Sequence, residues 1–114
     1  MRTSKKIPIA MTLAALFCAT GALGGDEYLV EQKGKEFVYK GEKITTLKIK
    51  VGDVVEFRNE DPYFHNVFSL SNAKLFDLGS YAQGKSKSVK FDKPGKVEIE
   101  CAIHPQMHMI IEVK

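Results

Sequence analysis

The nine residues Cys101–Met109, CAIHPQMHM, hold one Cys, two His and two Met. The whole chain has only two Cys, three His and four Met. Cys18, Met1 and Met11 fall in an N-terminal stretch read below as an export signal, so His65 is the only other such residue beyond it. Cys101, His104 and Met107 recur every third position, a spacing that lets a tight loop turn three side chains towards one point. Thiolate and thioether donors favour copper, zinc or iron–sulfur over the oxygen-seeking Ca²⁺ and Mg²⁺. A single Cys is too few for an ordinary iron–sulfur cluster, and structural zinc usually takes at least two. Two His, one Cys and a weakly bound Met form the donor set of a blue-copper centre. The second His must then come from elsewhere in the fold, and His65 is the one candidate remote in sequence. Singly, a buried Cys is usually inert and a Met usually fills a core. The expectation of a metal site rests on their concurrence.

Strand parity sorts the competing donors. In an extended segment Met107, Met109, Ile111 and Val113 face one way, and His108, Ile110, Glu112 and Lys114 the other. Met109 then reads as the first core residue of the last strand, and His108 as exposed. Met107, where loop becomes strand, is placed to be the axial ligand. A zinc site of Cys101, His104 and His108 fails this test if the strand begins at residue 107, and stays open if the loop runs longer.

The elements that must hold these residues are short strands. Leu47, Ile49 and Val51 alternate with Lys48 and Lys50, giving one buried and one solvated face. Val51-Gly52-Asp53 turns the chain into Val54–Phe57, and His65–Leu70 forms another strand after the loop Asn59-Glu60-Asp61-Pro62. Ser86–Phe91 and Lys96–Cys101 flank a Lys93-Pro94-Gly95 turn, where Pro presets φ and Gly accepts a positive one. Met109–Val113 closes the series. Residues 72–84 read as a long connection between the two sheets of a Greek key. No repeat, low-complexity segment or helical periodicity is visible after residue 25, so the expected fold is an all-β Greek-key sandwich.

Residues 1–24 open with MRTSKK and continue as a short apolar run rich in small residues, the pattern of a cleaved secretory signal. The exported domain is then residues 25–114, a size at which one core can just sustain an independent fold. Loss of Arg2, Lys5 and Lys6 reduces 17 basic residues to 14, against 14 acidic, so the formal charge of +3 belongs to the signal. The mature chain gives no electrostatic argument for nucleic acid. Its lone thiol, Cys101, cannot form an internal disulfide in an oxidising compartment, so something should protect or use it.

HNVFSL at His65–Leu70, with CAIHPQM beginning 36 residues after His65, resembles the cupredoxins, the plastocyanin-like small blue-copper proteins. The Cys-x2-His-Pro-x-Met loop is most similar to that of amicyanin. The resemblance runs from about Lys43 to Lys114. It implies a cupredoxin-type sandwich, one copper ion held by His65, Cys101, His104 and Met107, and an Asn66 that ties the two ligand-bearing segments together. It further implies a periplasmic, monomeric, non-enzymatic electron shuttle without stable membrane association. That shuttle would dock a dehydrogenase, cytochrome or oxidase through a small apolar patch around His104. Two features depart from the pattern: His108-Met109 stands where plastocyanin-like proteins commonly have Gly, and the acidic surface of plant plastocyanins is missing. A periplasmic copper carrier built on Met107-His108-Met109 is the alternative.

Overall fold

The computed structural model describes residues 25–114; the expected export signal lies outside the described residues. Ten strands follow in order: β1 Glu27–Lys33, β2 Glu36–Tyr39, β3 Glu42–Lys43, β4 Thr46–Ile49, β5 Val54–Asn59, β6 His65–Ser71, β7 Lys74–Tyr81, β8 Ser86–Lys90, β9 Gly95–Glu100 and β10 His108–Val113. They form two five-stranded sheets, ordered β3-β2-β1-β5-β8 and β4-β10-β9-β6-β7. The pairs β1–β5 and β4–β10 are parallel and the remaining pairs antiparallel. This is the all-β sandwich expected from the alternating strands.

Alternation decides what each sheet turns inward. Leu47 and Ile49 of β4 are buried between exposed Thr46 and Lys48, and β5 buries Val55, Phe57 and Asn59. In β10 Met109, Ile111 and Val113 face the core. The two inner faces meet in one apolar cluster that includes Val30, Phe37, Phe57, Phe91, Val97 and Ile99. Phe37 and Phe57 meet edge to face at 6.4 Å and 71°, the arrangement that puts a positive ring edge on a negative ring face. Gly95 of the Pro94-Gly95 turn takes φ 141°, and a Cβ there would lie 2.8 Å from that of Ala73. The turn expected after β8 therefore requires glycine on two counts.

One segment differs from expectation. Residues 74–81 are a strand paired with β6, and the crossing between sheets is confined to the short stretch before β8. Its alternation is blurred because both faces carry apolar residues: Phe76 and Leu78 pack on the core, while Leu75 is exposed opposite Leu70.

All strands that lead to the site converge on one end of the sandwich. β6 begins there with His65, β9 finishes there at Glu100, and β10 starts there at His108. The Phe68↔Glu100 register sets β6 beside β9, so the first residue of one lies near the residue after the last of the other. Replacing Phe57 by Ala should cost about 3–5 kcal/mol, a large share of the 5–15 kcal/mol typical of a domain. Urea unfolding of the metal-free protein checks this, and a loss below about 1 kcal/mol would mean that Phe57 does not anchor the core.

Candidate metal centre

His65 opens β6 on its inward face and is fully buried. Cys101 follows β9 and is 1% exposed. His104 lies in the loop between β9 and β10, half-buried. The structure brings these three together across 39 residues of sequence. Cys101 Sγ lies 3.8 Å from His65 Nδ1 and 3.9 Å from His104 Nδ1, and the two nitrogens are 3.2 Å apart. A triangle with those sides has a centre about 2.1 Å from every corner, within the 2.0–2.3 Å range of transition-metal bonds to imidazole nitrogen and thiolate sulfur. The three donors therefore fit one soft metal ion. Among the described residues no other group of three such donors forms.

The loop returns through a turn in which the Met107 N–H donates to the His104 carbonyl at 2.9 Å. Pro105 occupies the second position of that turn, where its fixed φ is favourable and its missing N–H costs nothing. Met107 emerges 1% exposed, at the point where β10 begins. The parity reading of its neighbours holds: Met109 is a fully buried core residue, while His108 is exposed and pairs with Glu98 at 3.2 Å. His108 therefore stands outside the triangle, and the Cys101–His104–His108 alternative has no geometric support.

Asn66 acts as the resemblance implied. Its Oδ1 accepts the Ala102 N–H at 2.8 Å, stitching the start of β6 to the residue after Cys101. A bulge between Asn66 and Phe68 lies beside it, the kind of irregularity that re-aims a side chain next to a site.

Asp61 is the residue that sequence reasoning missed. Its Oδ2 lies 2.7 Å from His65 Nε2, and its two oxygens also accept the Gly34 N–H at 2.7 Å and the Lys35 N–H at 3.1 Å. Those N–H groups come from the β1–β2 hairpin, where Gly34 at φ 64° and Lys35 at φ 59° form a left-handed pair. Consecutive backbone N–H groups in such a turn make a small anion cradle, and here the anion is a side chain. Burial alone would raise the Asp61 pKa, yet the bonds from His65, Gly34 and Lys35 hold it below its ordinary value. An ionised carboxylate only accepts, so His65 must donate from Nε2. The lone pair then sits on Nδ1, the atom at the triangle. The only earlier sign was an Asp four residues before His65, in a segment that looked like an ordinary loop.

Other polar groups brace this arrangement. Asn59 Nδ2 donates to the carbonyls of Tyr63 and Tyr81 at 2.8 and 3.0 Å, and its Oδ1 accepts the Asp61 N–H at 2.7 Å. Buried Tyr81, opposite His65 in the ladder, donates to the buried Gln32 amide oxygen at 2.6 Å. Burial, with the Cys101 thiolate second, pushes the Tyr81 phenol above its ordinary pKa, so it remains a donor. The His104 imidazole is pushed below its ordinary pKa by burial, then by His65 and Lys35.

The sequence matches no protein-family model. It matches no curated protein. Solved structures do match. A Cu-containing nitrite reductase from Thermus scotoductus SA-01 is 28% identical over 77% of this chain, with a TM-score of 0.67. This chain spans only 22% of that protein. A methionine-to-alanine variant of amicyanin in its Cu(I) form is 22% identical, covering 82% of this chain and 88% of its own, with a TM-score of 0.67. An oxidised proline-to-alanine variant of amicyanin is 21% identical, covering 77% and 82%, with the same score. The chain has the cupredoxin fold, as the HNVFSL and CAIHPQM segments indicated.

The stability that Asp61 contributes is complete above its unfolded pKa, near 4, and is lost as pH falls through its lower folded value. In the metal-free protein, Asp61→Asn should cost about 1–3 kcal/mol at pH 7 and flatten the acid side of the stability profile. Urea midpoints at pH 3 and pH 7 measure both. An acid limb equally steep in the variant contradicts the assignment.

Proposed function

We propose that this chain is an exported type 1 copper protein that passes single electrons between redox partners. The observation that carries the reading is the buried Nδ1–Sγ–Nδ1 triangle, with its ring nitrogen aimed by Asp61. His65, Cys101 and His104 would hold one copper ion, and Met107 would supply a weak thioether contact. The group would contribute Cu(II)/Cu(I) one-electron chemistry, the thiolate favouring the oxidised ion and the thioether the reduced one.

The chain's own residues do the rest. His65 is fixed from behind by Asp61, Cys101 is shielded from solvent, and the Pro105 turn limits loop movement. Donors that cannot move much keep reorganisation between the two oxidation states small. His104 is half-buried, flanked by Ile103, which is 48% exposed, and near the start of β6 stands Phe64, 56% exposed. These apolar groups would form the docking surface, with electrons entering and leaving at the His104 imidazole edge. Contacts of this type are small and short-lived. Four protein donors leave no position for a substrate, so the reading is a carrier of electrons and not an enzyme. The periplasm as its location rests on residues 1–24 and on the lone, employed thiol.

A copper carrier is the second reading, and one feature favours it. Gln106, Met107 and His108 line a cleft of about 140 Å³ between the ligand loop and Lys35–Phe37, Lys43 and Ile44. An acceptor seated there would lie against the Met107 side of the loop. Stopped-flow mixing separates the two: a shuttle exchanges electrons and retains copper, whereas a carrier surrenders the ion to an acceptor.

Cys101→Ser should abolish the intense thiolate-to-copper visible absorption, and a protein that stays blue after this change contradicts the proposal. Met107→Gln should retain copper and lower the reduction potential, measured by protein-film voltammetry. An unchanged potential removes Met107 from the axial role.

A further inference from the structure

Tyr63 has no part in the ligand set, yet its ring touches both imidazoles. Its centroid lies 5.4 Å from that of His65 at 75°, and 5.1 Å from that of His104 at 53°. The two imidazoles are themselves 4.8 Å apart at 65°. Three rings thus close a triangle of edge and tilted contacts, the geometries that aromatic quadrupoles prefer.

The position of Tyr63 is over-determined. Asn59 Nδ2 holds its carbonyl at 2.8 Å, and Pro62 before it restricts the backbone. Lys35 Nζ stands 5.4 Å from its ring centroid, a cation on a π face. Lys35 is also one of the residues whose N–H grips Asp61. The β1–β2 turn therefore braces His65 through Asp61 and His104 through Tyr63. His104 is the donor on a loop and the least buried of the three, so it is the one able to swing out of the triangle.

We infer that Tyr63 is a positioning residue, an aromatic brace that keeps the His104 imidazole in the donor triangle and so slows loss of the metal. This rests on the copper reading above and deepens it. It assigns to one residue the choice between a protein that retains copper and one that gives it away. Ring contact is the operative feature; the phenol, pushed above its ordinary pKa by burial and then by the neighbouring Asp61 carboxylate, stays protonated beside it.

The test follows copper release from the Cu(I)-loaded full domain to excess bathocuproine disulfonate, read as coloured chelate against time, for the parent, Tyr63→Phe, Tyr63→Leu and Tyr63→Ala. The Phe variant should release copper within about twofold of the parent, and the Ala variant about tenfold faster, the scale set by losing two aromatic contacts. The Leu variant keeps apolar bulk without a flat ring and should also release faster than the parent, which preserves the test if the Ala variant does not fold. Thermal unfolding of the metal-free proteins should differ little among the parent, Phe and Leu forms, because the ring lies outside the core cluster. Release from the Leu and Ala variants at the parent rate overturns the inference. So does a Phe variant as fast as Ala, which would assign the effect to the hydroxyl. A parent with no thiolate-to-copper band overturns the copper reading and this inference with it. A normal band with unchanged release rates overturns the brace alone.

Discussion

An imidazole buried beside a cysteine sulfur could present either nitrogen to it, and the contact between Asp61 and His65 settles which one. The carboxylate stays ionised because two backbone N–H groups of a left-handed turn share its charge. A charge so deeply placed is costly unless it is fully bonded, and here both oxygens have partners. From that one constraint follow the direction of the His65 lone pair, the orientation of its ring and the shape of the donor triangle. The strained Lys35 conformation makes sense in the same terms, because straightening that turn would remove the N–H groups from Asp61.

The sandwich supplies what the side chains cannot. Adjacent strands β6 and β9 carry His65 and Cys101 to the same end, and Asn66 locks their relative height by accepting the Ala102 N–H. The remaining donor, His104, hangs from a loop only a few residues long, closed by the turn from His104 to Met107. Two donors are thus fixed by sheet and core, and one, His104, by a loop. The rigid half and the adjustable half of the site come from different kinds of structure. A half-buried imidazole at the rim would give the proposed shuttle both metal binding and access for a partner; a fully buried one could not.

Much of this was legible in the residues. Alternation in Leu47–Val51 and Met109–Val113 gave the strands their faces, and the same parity separated Met109 and His108 from the donors, as burial and the Glu98 contact show. The ligand-bearing segments stood out because Cys and His are so scarce here that few combinations were possible. Strand β7 was hidden because Leu75 puts an apolar side chain on the outer face next to inward Phe76 and Leu78, erasing the period of two. Asp61 and Tyr63 were hidden for another reason. Their roles depend on where the β1–β2 turn lands, nearly thirty residues earlier in the chain, and local sequence carries no trace of a contact made by folding.

The central claim is that the fold itself holds these three donors in one triangle, with Asp61 behind His65. Crystal structures of the domain without metal and with Cu(II) test it most directly. The account predicts that His65 Nδ1, Cys101 Sγ and His104 Nδ1 keep their separations of 3.2, 3.8 and 3.9 Å to within a few tenths of an ångström, with the ion between them and Asp61 still on Nε2. A metal-free structure in which His65 has turned away from Asp61, or an ion seated elsewhere in the loaded protein, would contradict it.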